Sequence, residues 1–268
     1  FRKEAWEVCR LRSAEGENPP QGIHTYNCDL ESDEVNTVFA VQNLDLLIYR
    51  MEQNPVSAIR RLDAILRLSY TAKVRRVFLI SGDEVFAPGT CPTETDPLDP
   101  QGELGRLLER MEMLALSFRA QGLSASILRL AELYAPGQTS DDGLVGRLFG
   151  AALMGRALPK YEDPAAVSYG LLDARDAAHA IYQAAERDFS GPYLHISASE
   201  GTTMAVLYEI CSAFFPRVNV SAVPRAPRGH AVLQSRIMEQ ELGWRPKRPL
   251  AQGLKETWES MYASRDTY

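Results

Sequence analysis

Val77-Phe78-Leu79-Ile80-Ser81-Gly82-Asp83-Glu84-Val85-Phe86, followed by Pro92-Thr93-Glu94-Thr95-Asp96-Pro97-Leu98-Asp99-Pro100, is the stretch whose reading decides the fold. An apolar run of strand length ends in a small-residue turn, and a proline-bracketed polar loop follows. From there Leu104, Leu108, Met111, Ala115 and Phe118 recur at helical spacing. Strand, loop and helix in that order make one βα unit. The same alternation extends in both directions. Strand-length runs fall at Glu7 to Leu11, Ile23 to Tyr26, Leu44 to Tyr49, Val74 to Ile80, Ser124 to Leu130 and Tyr193 to Ile196, and a helical face (Ile59, Leu62, Ile65, Leu66, Leu68) falls within Pro55 to Tyr70. Alternation of this kind predicts an α/β fold around a parallel, doubly wound sheet.

Bulk properties agree and exclude several classes. The chain has 268 residues, of which 45% are hydrophobic and 24% charged, enough for a large core. Its formal net charge of -6, with basic residues scattered apart from Arg60-Arg61, Arg75-Arg76 and Arg245 to Arg248, argues against a nucleic-acid partner. Cys9, Cys28, Cys91 and Cys211 have neither C-x-x-C spacing nor companion histidines. They are expected to be reduced, mostly buried thiols of a cytoplasmic protein. His24, His179, His195 and His230 share no metal-ligand spacing, so no metal is expected and each reads as a surface or strand residue. No apolar run approaches the roughly 20 residues that span a bilayer.

After Tyr134 the texture changes. Ala135-Pro136-Gly137 signals a turn, Asp141 to Leu158 reads as a helix leaving the sheet, and Asp173 to Glu186 is alanine-rich and helical. Beyond these come a helix at Met204 to Phe214, a short strand near Val218 to Val223 and a last helix from Leu250 to Tyr262.

These segments resemble, in order and spacing, the extended short-chain dehydrogenase/reductase family of NAD-dependent epimerases, dehydratases and nucleotide-sugar reductases. The stretch at Val77 to Pro100 is similar to that family's strand, S-S/T-x-x-V-Y/F and P-x-x-E-x-x-P loop. Ala174-Arg175-Asp176-Ala177-Ala178-His179-Ala180 is similar to V-R-D-V-A-R-A, and Glu241-Leu242-Gly243-Trp244-Arg245-Pro246 to the closing L-G-W-x-P. The resemblance implies a Rossmann-like sheet (residues 1–135 and 168–201) with a smaller C-terminal α/β substrate subdomain (136–167 and 202–268), and NAD or NADP as cofactor. The family's first strand and glycine-rich turn are not seen in the sequence. Phe1 to Ala5 reads as the end of the helix that would follow them, which predicts a slot at the sheet centre and favours a chain whose beginning lies outside this sequence.

Cofactor positions implied by the resemblance are Arg12 and Ser13 after the second strand, Asp29-Leu30 beside the adenine, and Ser81. Arg12 would suit a 2'-phosphate or be an ordinary solvated arginine; Asp29 would flank the adenine or simply cap a helix. The strand at Asp45 to Tyr49 is followed by bulky Arg50-Met51-Glu52 where the family keeps a small pair.

The family transfers hydride with a phenol, a nearby ammonium and an orienting hydroxyl. The corresponding positions are Leu104, Leu108 and Gly82, none able to move a proton. Leu104 and Leu108, one turn apart, are expected to form an apolar patch. Asp83 and Glu84 are minority catalytic candidates, because dehydratases of the family read S-T-D-E-V-Y here. Retained acids alone cannot complete a cycle that begins with oxidation. Glu132 and Tyr169 replace the family's sugar-nucleotide asparagine and diphosphate-clamping arginine.

The expected function is therefore a catalytically silent relative with a binding or regulatory role toward a small nucleotide ligand. The alternative is an active NAD(P)-dependent enzyme of nucleotide sugars with displaced catalytic groups. A homodimer through paired long helices, with Leu107, Leu114 and Phe118 in the seam, is a third reading.

Overall fold

The computed structural model of the chain describes residues 7–12, 24–27, 34–41, 43–51, 57–214, 220–222 and 229–264. Two compact units divide it: one made of residues 1–80, 109–127 and 190–192, the other of 81–108, 128–189 and 193–268.

In the first unit β1 (Cys9–Arg12) pairs in parallel with β2 (His24–Asn27), and α1 (Glu34–Val41) follows. β3 (Leu46–Arg50) pairs in parallel with β4 (Arg76–Gly82), from Leu46 opposite Arg76 to Arg50 opposite Ile80. Between them α2 (Ala58–Thr71) buries Ala58, Leu62, Ile65, Leu66 and Ser69, one face of an amphipathic helix. β1 and β2 form a sheet separate from the one containing β3, whose strand order is β3-β4-β5-β9 with β5 at Ala125–Leu130 and β9 at Tyr193–Ile196. A cavity of about 450 Å³ lies between β1 and β3, lined by Cys9, Leu11, Phe39, Leu47, Tyr49 and Ile65 among others.

α3 (Glu103–Ala120) is the long helix of the opening stretch. Phe118 is buried, with the Arg67 guanidinium 5.9 Å from its ring centroid. It is a core residue and is not available to the expected dimer seam; Leu104 and Met113 are the exposed large apolar residues of this helix.

The second unit has a sheet of order β10-β8-β6, in which β8 (Ser168–Asp173) runs parallel to β6 (Glu132–Tyr134) and antiparallel to β10 (Gly201–Thr203). Sequence reading finds none of these three strands. β6 and β10 are too short to establish a period, and β8 is buried along nearly its whole length, so it shows no alternation. α4 (Gly143–Leu153) is shorter than the expected helix at Asp141 to Leu158. Gly155 takes a left-handed φ of 66°, and the chain re-extends as β7 (Leu158–Lys160), paired with β11 (Val220–Ala222). α4, α6 (Met204–Ser212) and α8 (Leu250–Ala263) enclose a core around Phe149, Met204, Leu207 and Leu254, each essentially inaccessible.

α5 (Ala174–Glu186) begins at Asp173, whose carboxylate accepts from the Arg175 amide at 2.9 Å, a helix N-cap. Further on, α7 (Arg236–Gln240) ends in a turn where Gly243 has φ 66° and Trp244, 2% exposed, donates its amide to Met238 at 2.8 Å. Glycine enters that left-handed turn at no steric cost. Asp176 then accepts from the amides of Lys247 and Arg248 at 3.1 and 2.9 Å. Two sequence motifs some seventy positions apart are thereby joined through one buried carboxylate.

Among the described residues no helix is long and apolar enough to cross a membrane. Cys211 is buried, whereas Cys91 is exposed, against the expectation of mostly buried thiols.

Candidate functional site

The end of β4 leads into a 3₁₀ turn, Asp83–Val85, and the family-like positions converge there. Ser81 is buried. A Cβ built on Gly82 would overlap Oε2 of Glu84 and lie 3.6 Å from Cδ1 of Leu108. The room a side chain at 82 would need is thus filled by the Glu84 carboxylate beside an aliphatic wall. Leu108 is 6% exposed but Leu104 is 44% exposed, so the expected joint patch does not form: Leu108 packs inward and Leu104 faces water.

The first turn of α3 is pressed onto this turn. A Cβ on Gly105 would overlap the backbone carbonyl oxygen of Glu84 and come within 2.9 Å of Pro100 Cβ. Replacing glycine by alanine in a helix ordinarily gains about 1 kcal/mol. Overpacking against groups that cannot swing aside costs about 1–3 kcal/mol. Gly105→Ala is therefore expected to destabilise the protein by roughly 1 kcal/mol net, seen as a lower urea midpoint. A raised midpoint would show that the helix does not sit so close.

Beneath the turn lies a charged cluster. Asp83, 2% exposed, places Oδ1 3.2 Å and Oδ2 3.3 Å from Nδ1 of His230. Oε2 of Glu132 is 3.8 Å from the same nitrogen, and the Tyr169 ring lies 5.2 Å from the imidazole centroid. Burial pushes the Asp83 carboxyl up to about 6, against the pull of the His230 hydrogen bond and charge. Burial works to lower the His230 pKa, but the Asp83 hydrogen bond and the charges of Asp83, Glu132 and Glu84 prevail and raise it to about 9. At neutral pH the pair is carboxylate and imidazolium. Glu132 is also a helix cap, since its other oxygen accepts from the Leu144 amide in the first turn of α4. Burial raises the Tyr169 phenol to about 12, so it stays protonated.

A second buried polar centre is structural. The guanidinium of Arg129, 1% exposed, lies 4.4 Å from the Tyr193 ring centroid and 5.0 Å from that of Phe86. Its Nη1 donates to Nε2 of His195 at 3.3 Å, and burial with the nearby guanidinium lowers His195 to about 3, keeping it neutral.

Of the positions read from sequence, Gly82, Asp83, Glu84 and Leu108 come together. Ser13, Asp29 and Leu30 lie outside the described residues. Arg12 closes β1 opposite Asn27, and Arg50 is exposed at the end of β3, with Met51 after it. Sequence reading misses His230 as a site residue, whereas Glu132 and Tyr169, read there as replacing substrate-binding residues of the family, stand beside it. Asp83 and His230 stand 147 positions apart with no spacing to betray them. Among the described residues no group of histidine, cysteine, aspartate or glutamate could hold a metal ion.

Tested against a nicotinamide cofactor, the second unit offers a buried serine at position 81. At the reacting end Gly82, Leu104 and Leu108 carry no group that exchanges a proton, and Glu84 fills the space beside Gly82. They do not fit a hydride-transfer site of the usual kind.

Comparison with known proteins adds the lineage. Residues 4–196 match the NAD dependent epimerase/dehydratase family. The chain is 24% identical over 219 residues to a dTDP-6-deoxy-L-talose 4-dehydrogenase (NAD(P)(+)) of Kitasatospora kifunensis, covering 77% of this chain and 68% of that protein. Among solved structures it is similar to dTDP-glucose 4,6-dehydratase from Bacillus anthracis in complex with NAD, with TM-score 0.87, 18% identity, and 100% and 91% of the two chains covered. It is also similar to UDP-glucose 4-epimerase from Thermotoga maritima with UDP-glucose, with TM-score 0.82, 20% identity, and 100% and 94% covered. At these identities the structural likeness establishes the fold.

Proposed function

The chain belongs to the NAD dependent epimerase/dehydratase family, and on that premise we propose that it is a member without the family's hydride-transfer chemistry, serving to bind a small nucleotide ligand in a regulatory or accessory role. The observation that carries this is the site at the end of β4. Leucines stand at 104 and 108, glycine at 82, and the Glu84 carboxylate occupies the space an orienting hydroxyl would take. The functional division follows the family: residues 1–135 with 168–201 as the dinucleotide-binding type of domain, 136–167 with 202–268 as the substrate type.

Ligand selection follows from charge. Asp83, Glu84 and Glu132 outnumber the one imidazolium among them, so the second unit disfavours a sugar diphosphate at this place. Two long side chains, Arg50 at the end of β3 and Met51 after it, stand where a cofactor needs close approach to backbone. Calorimetry with NADH and NADPH is expected to show binding weaker than low micromolar. A dissociation constant of 1 μM, roughly -8 kcal/mol, would refute this.

A second reading has one observation in its favour. Asp83, with its carboxyl raised to about 6, and His230 form an acid-base pair beside Glu84. In that reading the chain is an active epimerase, dehydratase or reductase whose chemistry has moved to these groups. Turnover abolished by Asp83→Asn would select it over the silent reading.

A further inference from the structure

Residues 229–235 form a strap laid along residues 89–92. Gly89 donates its amide to the His230 carbonyl at 3.2 Å, Val232 to that of Thr90 at 2.8 Å, and Gln234 to that of Pro92 at 2.8 Å. The far part of the strap is anchored without charge. Ala231, Val232 and Leu233 are buried, and the Ser235 hydroxyl accepts the Ser197 amide at 2.8 Å.

The near end is held differently. Gly229 has a left-handed φ of 69° against the Ser168 backbone, and the His230 amide donates to Ser168 at 2.9 Å. The imidazole above this contact is surrounded by acids: Asp83 and Glu84 from the 3₁₀ turn and Glu132 from β6. Tyr169 of β8 completes the surroundings, with Arg147 of α4 acting on that phenol. A protonated ring serves as counter-charge for three carboxylates. A neutral ring leaves them repelling one another in a poorly solvated site.

We propose that His230 is a proton-operated clasp: its protonated ring fastens the Gly229–His230 end of the strap over Asp83, and deprotonation releases that end, opening the Asp83–Glu84 turn to water. Val232 to Ser235 remain seated, because burial and neutral hydrogen bonds hold them. The pH window follows from both partners. A histidine raised to about 9 contributes its stabilisation fully below its ordinary 6.5 and loses it as pH rises through about 9. Burial raises Asp83 to about 6, so its charge, and with it the attraction, fades as pH falls below that value. The clasp is closed between these limits.

Residue-resolved amide protection by NMR, with parallel titration of the His230 ring proton, tests the device. The ring is expected to titrate above pH 8, and Asp83→Asn should lower that midpoint by at least one pH unit. At pH 7, His230→Gln should reduce protection at Gly89 and at position 230 by tenfold or more while Val232 and Gln234 change less than twofold. Wild-type protein should show the same selective loss between pH 8 and 10, which decides the matter if the variant fails to fold. A ring midpoint near 6.5, an Asp83→Asn midpoint equal to wild type, or equal loss at all four amides would overturn the clasp.

Discussion

Incubated with a panel of UDP- and dTDP-linked hexoses and either NAD(H) or NADP(H), the unmodified protein is expected to give no epimerised, dehydrated or reduced product by chromatography. General acid-base groups contribute about 10²- to 10⁴-fold each. On the proposed reading, Leu104, Leu108 and Gly82 stand where the phenol, the ammonium and the orienting hydroxyl would be. Because such groups act as a unit, restoring one alone should recover little. The structure adds a reason that the triple change Gly82→Thr, Leu104→Tyr and Leu108→Lys should also fail. The Glu84 side chain can swing aside for a threonine at 82, but a lysine at 108, beside that carboxylate, would be drawn into an ion pair with it rather than toward a phenol. Cofactor-dependent turnover by the wild type that vanishes in Asp83→Asn would sink the silent reading and assign the chemistry to the Asp83–His230 pair.

Asp176→Ala is expected to be the most damaging single substitution considered for stability, at about 2–4 kcal/mol in urea denaturation. The carboxylate, 3% exposed, accepts two backbone amides and the Arg248 guanidinium at 3.1 Å. Alanine would leave the Lys247 and Arg248 amides unpaired in a partly buried place. The guanidinium itself is 37% exposed and can turn to water, so stranded charge is the smaller part of the loss. Asp176→Asn keeps one acceptor oxygen and should cost clearly less. Equal costs for the two variants would show that the arginine pair, not the amides, carries the stabilisation.

Local sequence signals located most of the scaffold because they report local physics. The apolar runs at Val74 to Ile80 and Ser124 to Leu130 became β4 and β5, and the leucine-rich face after Glu103 became α3. The signals failed where burial was uniform or the element too short for a period to show, as in β6, β8 and β10. They overran at α4, where glycine at 155 turns the chain in a conformation that spacing alone does not reveal. Phe118 shows the same limit in another form: its place in a helical stripe was legible, but whether that stripe faced the core or a partner was not.

By itself the sequence determined the α/β fold and the family, since each is a matter of residue type at a place fixed by short-range pattern. Only the tertiary structure decided that the Glu84 carboxylate fills the space beside Gly82, that Leu108 turns inward while Leu104 faces water, and that His230 meets Asp83 and Glu132. Those outcomes depend on how loops pack across 147 positions of chain, where the energy of a charge is set by burial and by its neighbours in space, and neither is written in the spacing of residues along a strand or helix.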